Sequence, residues 1–520
     1  MSEAQVTPEL RLRPAAAHPA TDSLAEWLRG QRLRHAGQPL RVQLAQGLRE
    51  AVTARVLLPG HRLPATRALA ESLGVARNTL VAVYAQLEAE GFVVAGHGSG
   101  TYVRPVVVDR PAETVLPLRP DVAAGRPRLS ARGRDYRADA IHEFWVERPF
   151  CPGGFTEELF PQALWNQLHI QMLRRPDAHL LLPGAPGGSP ALRQAIARHV
   201  RATRGVRCQP EQVILTDSTA QSVSLVAQLL CDPRDDAIVE NPCYWGARRA
   251  LEQQGLRLRP VDVDASGAPV PTALAATARL AYLTPSHQFP TGAAMPLARR
   301  LHWLACARAA GMLLLEDDYD SPFRYAGAPL PSLQGLDAES GGGEHVVYLG
   351  SFSKTMFPGI RLAFMVVPAS QAGVFAAAAN DFHRDGDQVL QAVMARFLEE
   401  GHYAGHVHRL REAFGRRREA LLQALHAHVP ELSRTDSALR LTGGARGVHL
   451  CFSLPAGTDD RALAADCARR GVTVIPLSAY GVGGLGARHP GLVLAYAGVR
   501  ETEMDALVRE IAPVLRTAGR

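Results

Sequence analysis

The chain is 520 residues long and carries 57 Lys+Arg against 50 Asp+Glu, a formal net charge of +7. That length calls for two or more domains, and the mild positive balance is compatible with a nucleic-acid partner without demonstrating one. No run of 18 or more apolar residues marks a membrane span, and the start Met1-Ser-Glu-Ala-Gln-Val6 has no apolar secretory region. The seven cysteines are scattered and form no CxxC pair, which favours free thiols in a reducing cytoplasm over disulfides or zinc.

Residues 1–21 mix Pro, Ala and charge without a period and are expected to be disordered. Leu40, Leu44, Leu48 and Val52 then recur every four residues and make one apolar stripe on a first helix. Pro59-Gly60 breaks it. Thr66 to Leu73 predicts a second, short helix ended by Gly74. Leu80, Val83, Tyr84 and Leu87 share one face of a third, with Gly91 placed to close it. The strand Phe92-Val-Val94, a tight turn His97-Gly98-Ser-Gly100 and the strand Thr101-Tyr-Val103 follow. Three helices and a glycine-tipped hairpin make an α+β winged helix-turn-helix over residues 22–104.

Within Leu40–Val103, Pro59-Gly-His-Arg-Leu-Pro64, Arg67, Leu73-Gly-Val-Ala-Arg-Asn-Thr79, Ala89-Glu-Gly91 and Gly98-Ser-Gly-Thr101 resemble the GntR family of bacterial transcription regulators. In such a fold the recognition helix enters the major groove of double-stranded DNA by its N-terminal end. That end carries Arg77, Asn78 and Thr79. Arg77 suits a bidentate contact to guanine and Thr79 a phosphate. The resemblance adds Arg67 as a DNA contact, and His97 and Gly98 at a wing tip near the minor groove.

Residues 105–145 hold no sustained period, and Pro111, Pro117, Pro120 and Pro127 would interrupt any helix. They read as a flexible linker reaching about 30–35 Å, and the arginines in it read as solvated charge. Over residues 146–518, helical stretches alternate with the apolar runs Val213-Ile-Leu215, Ala237-Ile-Val239, Leu280-Ala-Tyr-Leu283, Met312-Leu-Leu-Leu315 and His345-Val-Val-Tyr-Leu349. Repeated strand–helix units predict an α/β domain with a mostly parallel, doubly covered sheet, whose ligands sit at the carboxyl ends of the strands. The stretches Gly447–Phe452, Gly471–Ile475 and Leu492–Ala495 predict a small α/β subdomain beside that site.

Lys354 is the only lysine in the chain; every other cation counted under Lys+Arg is an arginine. Arginine replaces lysine wherever charge suffices, but not where an amine must lose its proton and attack a carbonyl. Lys354 therefore reads as a Schiff-base lysine for pyridoxal phosphate (PLP). Its neighbours suit that reading. Thr216-Asp-Ser218-Thr219-Ala opens a helix whose free amides suit a phosphate. Glu316-Asp317-Asp318-Tyr319-Asp320 offers a carboxylate for a pyridine nitrogen and a hydroxyl for a ring phenolate. Ser351 and Ser353 add hydroxyls, and Arg361 suits a phosphate.

In order, these segments resemble fold-type I PLP-dependent aminotransferases over essentially all of residues 146–518. Joined to the N-terminal domain, they resemble the MocR subfamily of GntR regulators through Asn241-Pro-Cys-Tyr-Trp-Gly246, Thr284-Pro-Ser-His-Gln-Phe-Pro-Thr-Gly292, Glu316-Asp-Asp-Tyr-Asp320 and Ser351-Phe-Ser-Lys354. The resemblance assigns Lys354 to the internal aldimine, Asp317 to the pyridine nitrogen and Tyr319 to the phenolate oxygen. It stacks Tyr244 on the ring, sets Ser218, Thr219, Ser351 and Arg361 around the phosphate, and lines the pocket with His287 and Gln288. Asp318 stands as a fallback for Asp317, because sequence does not separate adjacent carboxylates.

Three positions depart from the aminotransferase pattern. Asp217 brings negative charge to the phosphate loop, Phe289 replaces a usual asparagine, and Val493 stands where an arginine grips the substrate carboxylate. Arg500 and Arg440 are the candidates to replace that arginine. His402, His406 and His408 lack a third ligand at metal spacing, so no metal is expected. The expected function is a cytoplasmic, PLP-dependent DNA-binding regulator that senses PLP, an amine or an amino acid through aldimine formation at Lys354, in the control of vitamin B6 or amino-acid metabolism. The alternative is an active aminotransferase with an attached DNA-binding domain. The resemblance implies a head-to-tail homodimer; effector, operator and sign of regulation stay open.

Overall fold

The computed structural model describes residues 21–32, 38–96, 100–104, 130, 149–154, 156–174, 180, 182–271, 273, 277–327, 331–384, 386–433, 439–443 and 445–518. His97, Gly98 and, apart from Ser130, the expected linker 105–145 lie outside them. The chain divides into two units, Met1–Arg128 and Leu129–Arg520.

The first unit contains α1 (Thr21–Arg32), α2 (Leu40–Thr53), α3 (Thr66–Leu73), α4 (Arg77–Ala89) and the hairpin β1 (Val93–Gly96) and β2 (Gly100–Val103). The apolar stripes read from the sequence form its core: Leu44 and Leu48 of α2, Leu80, Val83 and Leu87 of α4, and Val93 and Val103 of the hairpin are nearly inaccessible to solvent. Helix α1 was not expected. Its Leu24 and Leu28 join the same core, and Ser72 of α3 donates to Asp22 at 3.1 Å. Gly74 adopts φ 67°, a left-handed turn that lets the amides of Gly74 and Val75 return to the carbonyls of Glu71 and Ala70. The next residues lead directly into α4, so the helix-turn-helix is closed by one glycine. Pro59–Pro64 runs beside the wing, where Leu63 donates to the Thr101 carbonyl at 2.7 Å and Val103 to that of His61 at 2.9 Å.

The second unit begins with α5 (Gln162–Arg174) and α6 (Pro190–Arg204). Its strand–helix repeats are β3 (Val213–Thr216), α7 (Thr219–Leu230), β4 (Asp236–Asn241), α8 (Trp245–Gln253), β5 (Arg257–Asp262), β6 (Leu280–Leu283), α9 (Leu297–Ala310), β7 (Leu313–Asp317), α10 (Leu333–Gly341), β8 (Val346–Ser351) and β9 (Ala363–Val366). The chain continues through α11 (Ala372–His383), α12 (Gln388–Glu399) and the long α13 (His402–His428). It ends in β10 (Arg440–Thr442), β11 (His449–Ser453), α14 (Asp460–Arg469), β12 (Ile475–Pro476), β13 (Gly491–Ala495) and α15 (Met504–Ala518).

Seven strands form the large sheet in the order β3-β9-β8-β7-β6-β4-β5. Only β9 runs antiparallel to its neighbours, because it turns straight back after the lysine segment. The sheet is therefore mixed, with a parallel majority. β4, β6 and β7 are buried along their whole length, as strands covered on both faces must be. The edge strand β5 carries Arg257, Arg259 and Pro260, residues that suit an edge. A second sheet, β10-β11-β13-β12, is antiparallel and packs with α13, α14 and α15 around Leu450, Phe452, Leu494 and Val508. Among the described residues no helix is long and apolar enough to cross a membrane.

Candidate functional site

Five strands, β3, β4, β6, β7 and β8, run in one direction and end on the same edge of the large sheet. Ser218, Tyr244, His287 and Lys354 follow four of these ends, and Asp317 closes the fifth.

Strand alternation separates the acidic run into two faces. Glu316 and Asp318 point one way. Glu316 accepts from the amides of Leu333 and Gln334 at 2.9 and 3.0 Å, at the start of α10. Asp318 pairs with Arg204 at 2.6 Å and accepts from the Tyr348 hydroxyl at 2.6 Å. Burial alone would raise its carboxyl, but Arg204 and Tyr348 together hold it below the usual range. Asp317 points the other way. Its Oδ2 accepts from the Tyr282 hydroxyl, while Oδ1 is buried without a hydrogen-bond partner. Burial, partly offset by Tyr282, pushes the Asp317 carboxyl up to about 7. An unsatisfied buried carboxylate oxygen is costly, and a protonated ring nitrogen would fit as its partner.

Aromatic rings wall the pocket. Phe289 meets Tyr244, Tyr319 and Tyr480 edge-on, with centroids 5.9, 5.7 and 5.1 Å apart. Tyr319 also bonds His287 Nδ1 at 3.0 Å, and the same nitrogen lies 2.8 Å from Asp320. The Tyr244 ring lies over Gly246, where a Cβ would come within 2.6 Å of Cζ and 2.7 Å of the hydroxyl. Gly246→Ala is therefore expected to displace that ring and to weaken PLP binding by about 0.5–1.5 kcal/mol, the worth of one ring contact. Cofactor titration of the folded variant checks this. The Gln288 amide donates to Glu240, to the Pro242 carbonyl at 2.9 Å and to the Phe289 carbonyl at 2.7 Å, and its oxygen accepts from Thr291. Its polar atoms hold the loop in shape.

Lys354 Nζ donates to the Pro152 carbonyl at 2.7 Å. Burial lowers the pKa of its amine, opposed by the charge of Asp320, which favours the neutral, nucleophilic form. Ser351 and Ser353 bond each other through their hydroxyls at 3.1 Å. Ser218 caps α7, its hydroxyl accepting from the Gln221 amide at 3.2 Å, and Thr219 is the first helical residue. Arg361 stands in left-handed backbone at φ 49° and shares a small cavity of about 30 Å³ with Thr216, Asp217 and Gln221. A helix N-terminus facing an arginine suits a phosphate. Asp217 is exposed at its rim.

Val493 is fully buried in β13, paired with Cys451 and Ile475 and packed in a cluster with Leu477, Tyr480, Phe289 and Trp245. An apolar cluster thus surrounds the position where the resemblance led one to expect a carboxylate-gripping arginine. Arg500 bonds Glu158 at 3.3 Å, and Arg440 lies exposed on β10. The three histidines of α13 diverge: His402 bonds Glu400, His408 pairs with Glu412, and His406 is buried between Phe160 and Phe397. A different trio, His287, Asp320 and His449, brings possible ligand atoms within 4.8 Å of one another. Internal bonds engage it: His287 to Asp320, and His449 Nε2 to the Pro290 carbonyl at 3.0 Å.

In the first unit, Arg67 lies exposed in the first turn of α3, and Arg77 and Asn78 lie exposed at the start of α4 with Thr79 half-buried behind them. Neither helix has an acidic residue in its first turn, so both ends keep the positive potential that phosphates seek.

The two units match two families. Residues 40–103 match the bacterial regulatory proteins of the gntR family, and residues 169–511 match aminotransferase class I and II. Over 467 residues the chain is 33% identical to the probable rhizopine catabolism regulatory protein MocR of Rhizobium meliloti, covering 90% of this chain and 92% of that protein. The chain belongs to the MocR subfamily of GntR transcription regulators. Another such regulator, TauR of Rhodobacter capsulatus, is 35% identical, with 84% of this chain and 88% of that protein covered. Among solved structures, the α-aminoadipate aminotransferase LysN of Thermus thermophilus, complexed with N-(5'-phosphopyridoxyl)-L-leucine, superposes with a TM-score of 0.65 at 27% identity. That match covers 74% of this chain and 95% of LysN. The fold is that of fold-type I PLP enzymes. Three residues of this MocR-type site escaped the sequence reading: Tyr282, Arg204 and Gly246. Tyr282 left one trace, a lone hydroxyl inside the apolar run Leu280–Leu283.

Proposed function

We propose that this regulator couples PLP held in its aminotransferase-like unit to DNA binding by its winged helix. The observation that carries the reading is the buried, unpartnered Oδ1 of Asp317 on the strand edge that also leads into Lys354. Asp317 would hold the pyridine nitrogen, Tyr319 the phenolate oxygen, and Tyr244 the ring face. Ser218, Thr219, Ser351, Ser353 and Arg361 would hold the phosphate, and Lys354 would be the covalent anchor. When bound, the cofactor supplies an aldehyde carbon on which one amine can replace another. The chain would do the rest: Asp317 would keep the ring nitrogen protonated, burial lowers the pKa of the Lys354 amine and so favours its neutral form, and the aromatic wall would exclude water.

An amine ligand would act through Lys354, and it shifts DNA affinity only as far as it binds two arrangements of the protein unequally. The buried Val493 cluster supports sensing over turnover, since it offers a substrate carboxylate no cation. An active aminotransferase would show repeated half-reactions with keto acids; the regulator reading expects none. Operation in the cytoplasm as a head-to-tail homodimer on a repeated operator belongs to the same proposal.

Footprinting with and without PLP, and with a panel of amines, tests the coupling: protection is expected to change with ligand, and identical footprints under all conditions would refute it. For the DNA contact itself, Arg77→Ala is expected to weaken specific binding by about 1–3 kcal/mol and to relax specificity at one position, as read by gel-shift titration.

A further inference from the structure

On the face of β7 opposite Asp317 lies a second cavity, of about 510 Å³. Four arginines line it, Arg204, Arg324, Arg411 and Arg446, against two carboxylates, Asp318 and Asp320. Both carboxylates are already engaged. Asp318 pairs with Arg204 at 2.6 Å and accepts from Tyr348, and Asp320 is bonded to His287 at 2.8 Å. Arg324 and Arg446 face each other across an antiparallel bridge, a placement that is unfavourable for like charges unless something neutralises them. Among the described residues neither forms an ion pair. Arg324 spends Nε on the Gly327 carbonyl at 2.9 Å, and Arg446 Nε is buried without any hydrogen-bond partner. Arg411 sits across the opening and donates to the Pro322 carbonyl at 3.1 Å. Ser286 and Tyr325 add hydroxyls to the same wall.

We propose that this cavity, which adjoins the cofactor site at His287, Tyr319 and Ser351 but is not lined by Asp317, Tyr244 or Lys354, is a second ligand site that binds a small organic anion carrying a carboxylate or a phosphate between Arg324 and Arg446. The forked guanidinium groups match either anion bidentately. Burial, Arg324 and Arg204 lower the pKa of the Arg446 guanidinium, opposed only in part by Asp320, the direction expected where cations outnumber their counter-charges. The volume admits an anion with an attached body, and the aromatic side chains Phe352 and Tyr403 offer that body an apolar wall. Arg204 and Asp318 link the cavity to the acidic run, whose next residue back is Asp317, so occupancy bears directly on the strand end that forms the cofactor pocket.

The test uses the full chain saturated with PLP, so that its phosphate cradle is already filled. Inorganic phosphate and succinate are titrated separately by calorimetry at low ionic strength. One anion per chain is expected to bind, and the double variant Arg324→Gln/Arg446→Gln is expected to bind it about tenfold more weakly or worse. The better of the two anions identifies the head group. The variant should also melt no lower than the wild type without anion, because a repulsion has been removed, and should lose the stabilisation that anion gives the wild type. Lys354→Ala is expected to keep the anion site, which separates this site from the covalent chemistry. Absence of saturable binding, or equal affinity in the double variant, would overturn the proposal.

Discussion

Lys354→Ala is expected to bind operator DNA with wild-type affinity in the absence of ligand and to lose every response to amines. The side chain lies in the second unit, 277 positions beyond the recognition arginine Arg77. Its removal leaves the winged helix intact. What disappears is the one amine in the chain's side chains that can exchange with an incoming amine on the cofactor. Arginine cannot replace it: Lys354→Arg retains charge and length but stays protonated, so it is expected to behave as the alanine variant does. A lysine with a purely electrostatic role would be rescued by arginine. Gel-shift titrations of the three proteins, with and without PLP and amine, distinguish these cases.

Asp317→Asn has the second large effect, and it acts in opposite directions on binding and stability. With PLP, the asparagine cannot supply the negative charge that keeps the ring nitrogen protonated. Loss of one member of a buried charged pair costs about 2–5 kcal/mol, so affinity for PLP is expected to fall ~30-fold or more. Without PLP, the carboxyl is a burden. Its pKa is raised from 3.8 in the unfolded chain to about 7 in the fold. The native state therefore binds more protons than the unfolded state between these values, and stability falls as pH rises through that window, by roughly 1.4 kcal/mol per pH step at most. Cofactor-free Asp317→Asn is thus expected to melt above the wild type at pH 8, with the difference vanishing near the unfolded value. A lower melting temperature at pH 8 would contradict the assignment of Asp317 as the unsatisfied charge. Adding PLP should reverse the order of the two proteins.

The apolar strands β3, β4, β6, β7 and β8 were legible because strands buried on both faces leave unbroken apolar runs. β5 was not, since its arginines and Pro260 belong to an edge, and an edge has no apolar signature. β9 went unread although Pro358-Gly359 marks a turn before it: it follows the lysine segment after a single 3₁₀ turn at Pro358–Ile360, and the motif beside it drew the reading. Helix α1 offered two leucines four apart, too short a stripe to stand out among charged neighbours, and its stability comes from packing against the core of α2 to α4.

Sequence singles out a candidate where chemistry demands a residue type, as with the lone Lys354, and less sharply where geometry decides. Asp317 and Asp318 are equal candidates as letters. They are told apart by alternation about β7 and by Arg204, Tyr348 and Tyr282, which arrive from distant segments. Gln288 shows the converse, a polar residue in a matching motif whose amide is engaged in shaping its own loop. Val493 was expected as a departure, and the fold buries it in a cluster with Ile475, Leu477 and Phe289.

The central claim is that Lys354 carries the cofactor, and the chain's composition makes its test unusually clean. With a single lysine, borohydride reduction of the PLP-loaded protein followed by whole-protein mass measurement has one side chain to label. One phosphopyridoxyl group per chain is expected, on the peptide containing Lys354, and none in Lys354→Ala. An unlabelled wild type, or equal labelling of the alanine variant, would contradict it.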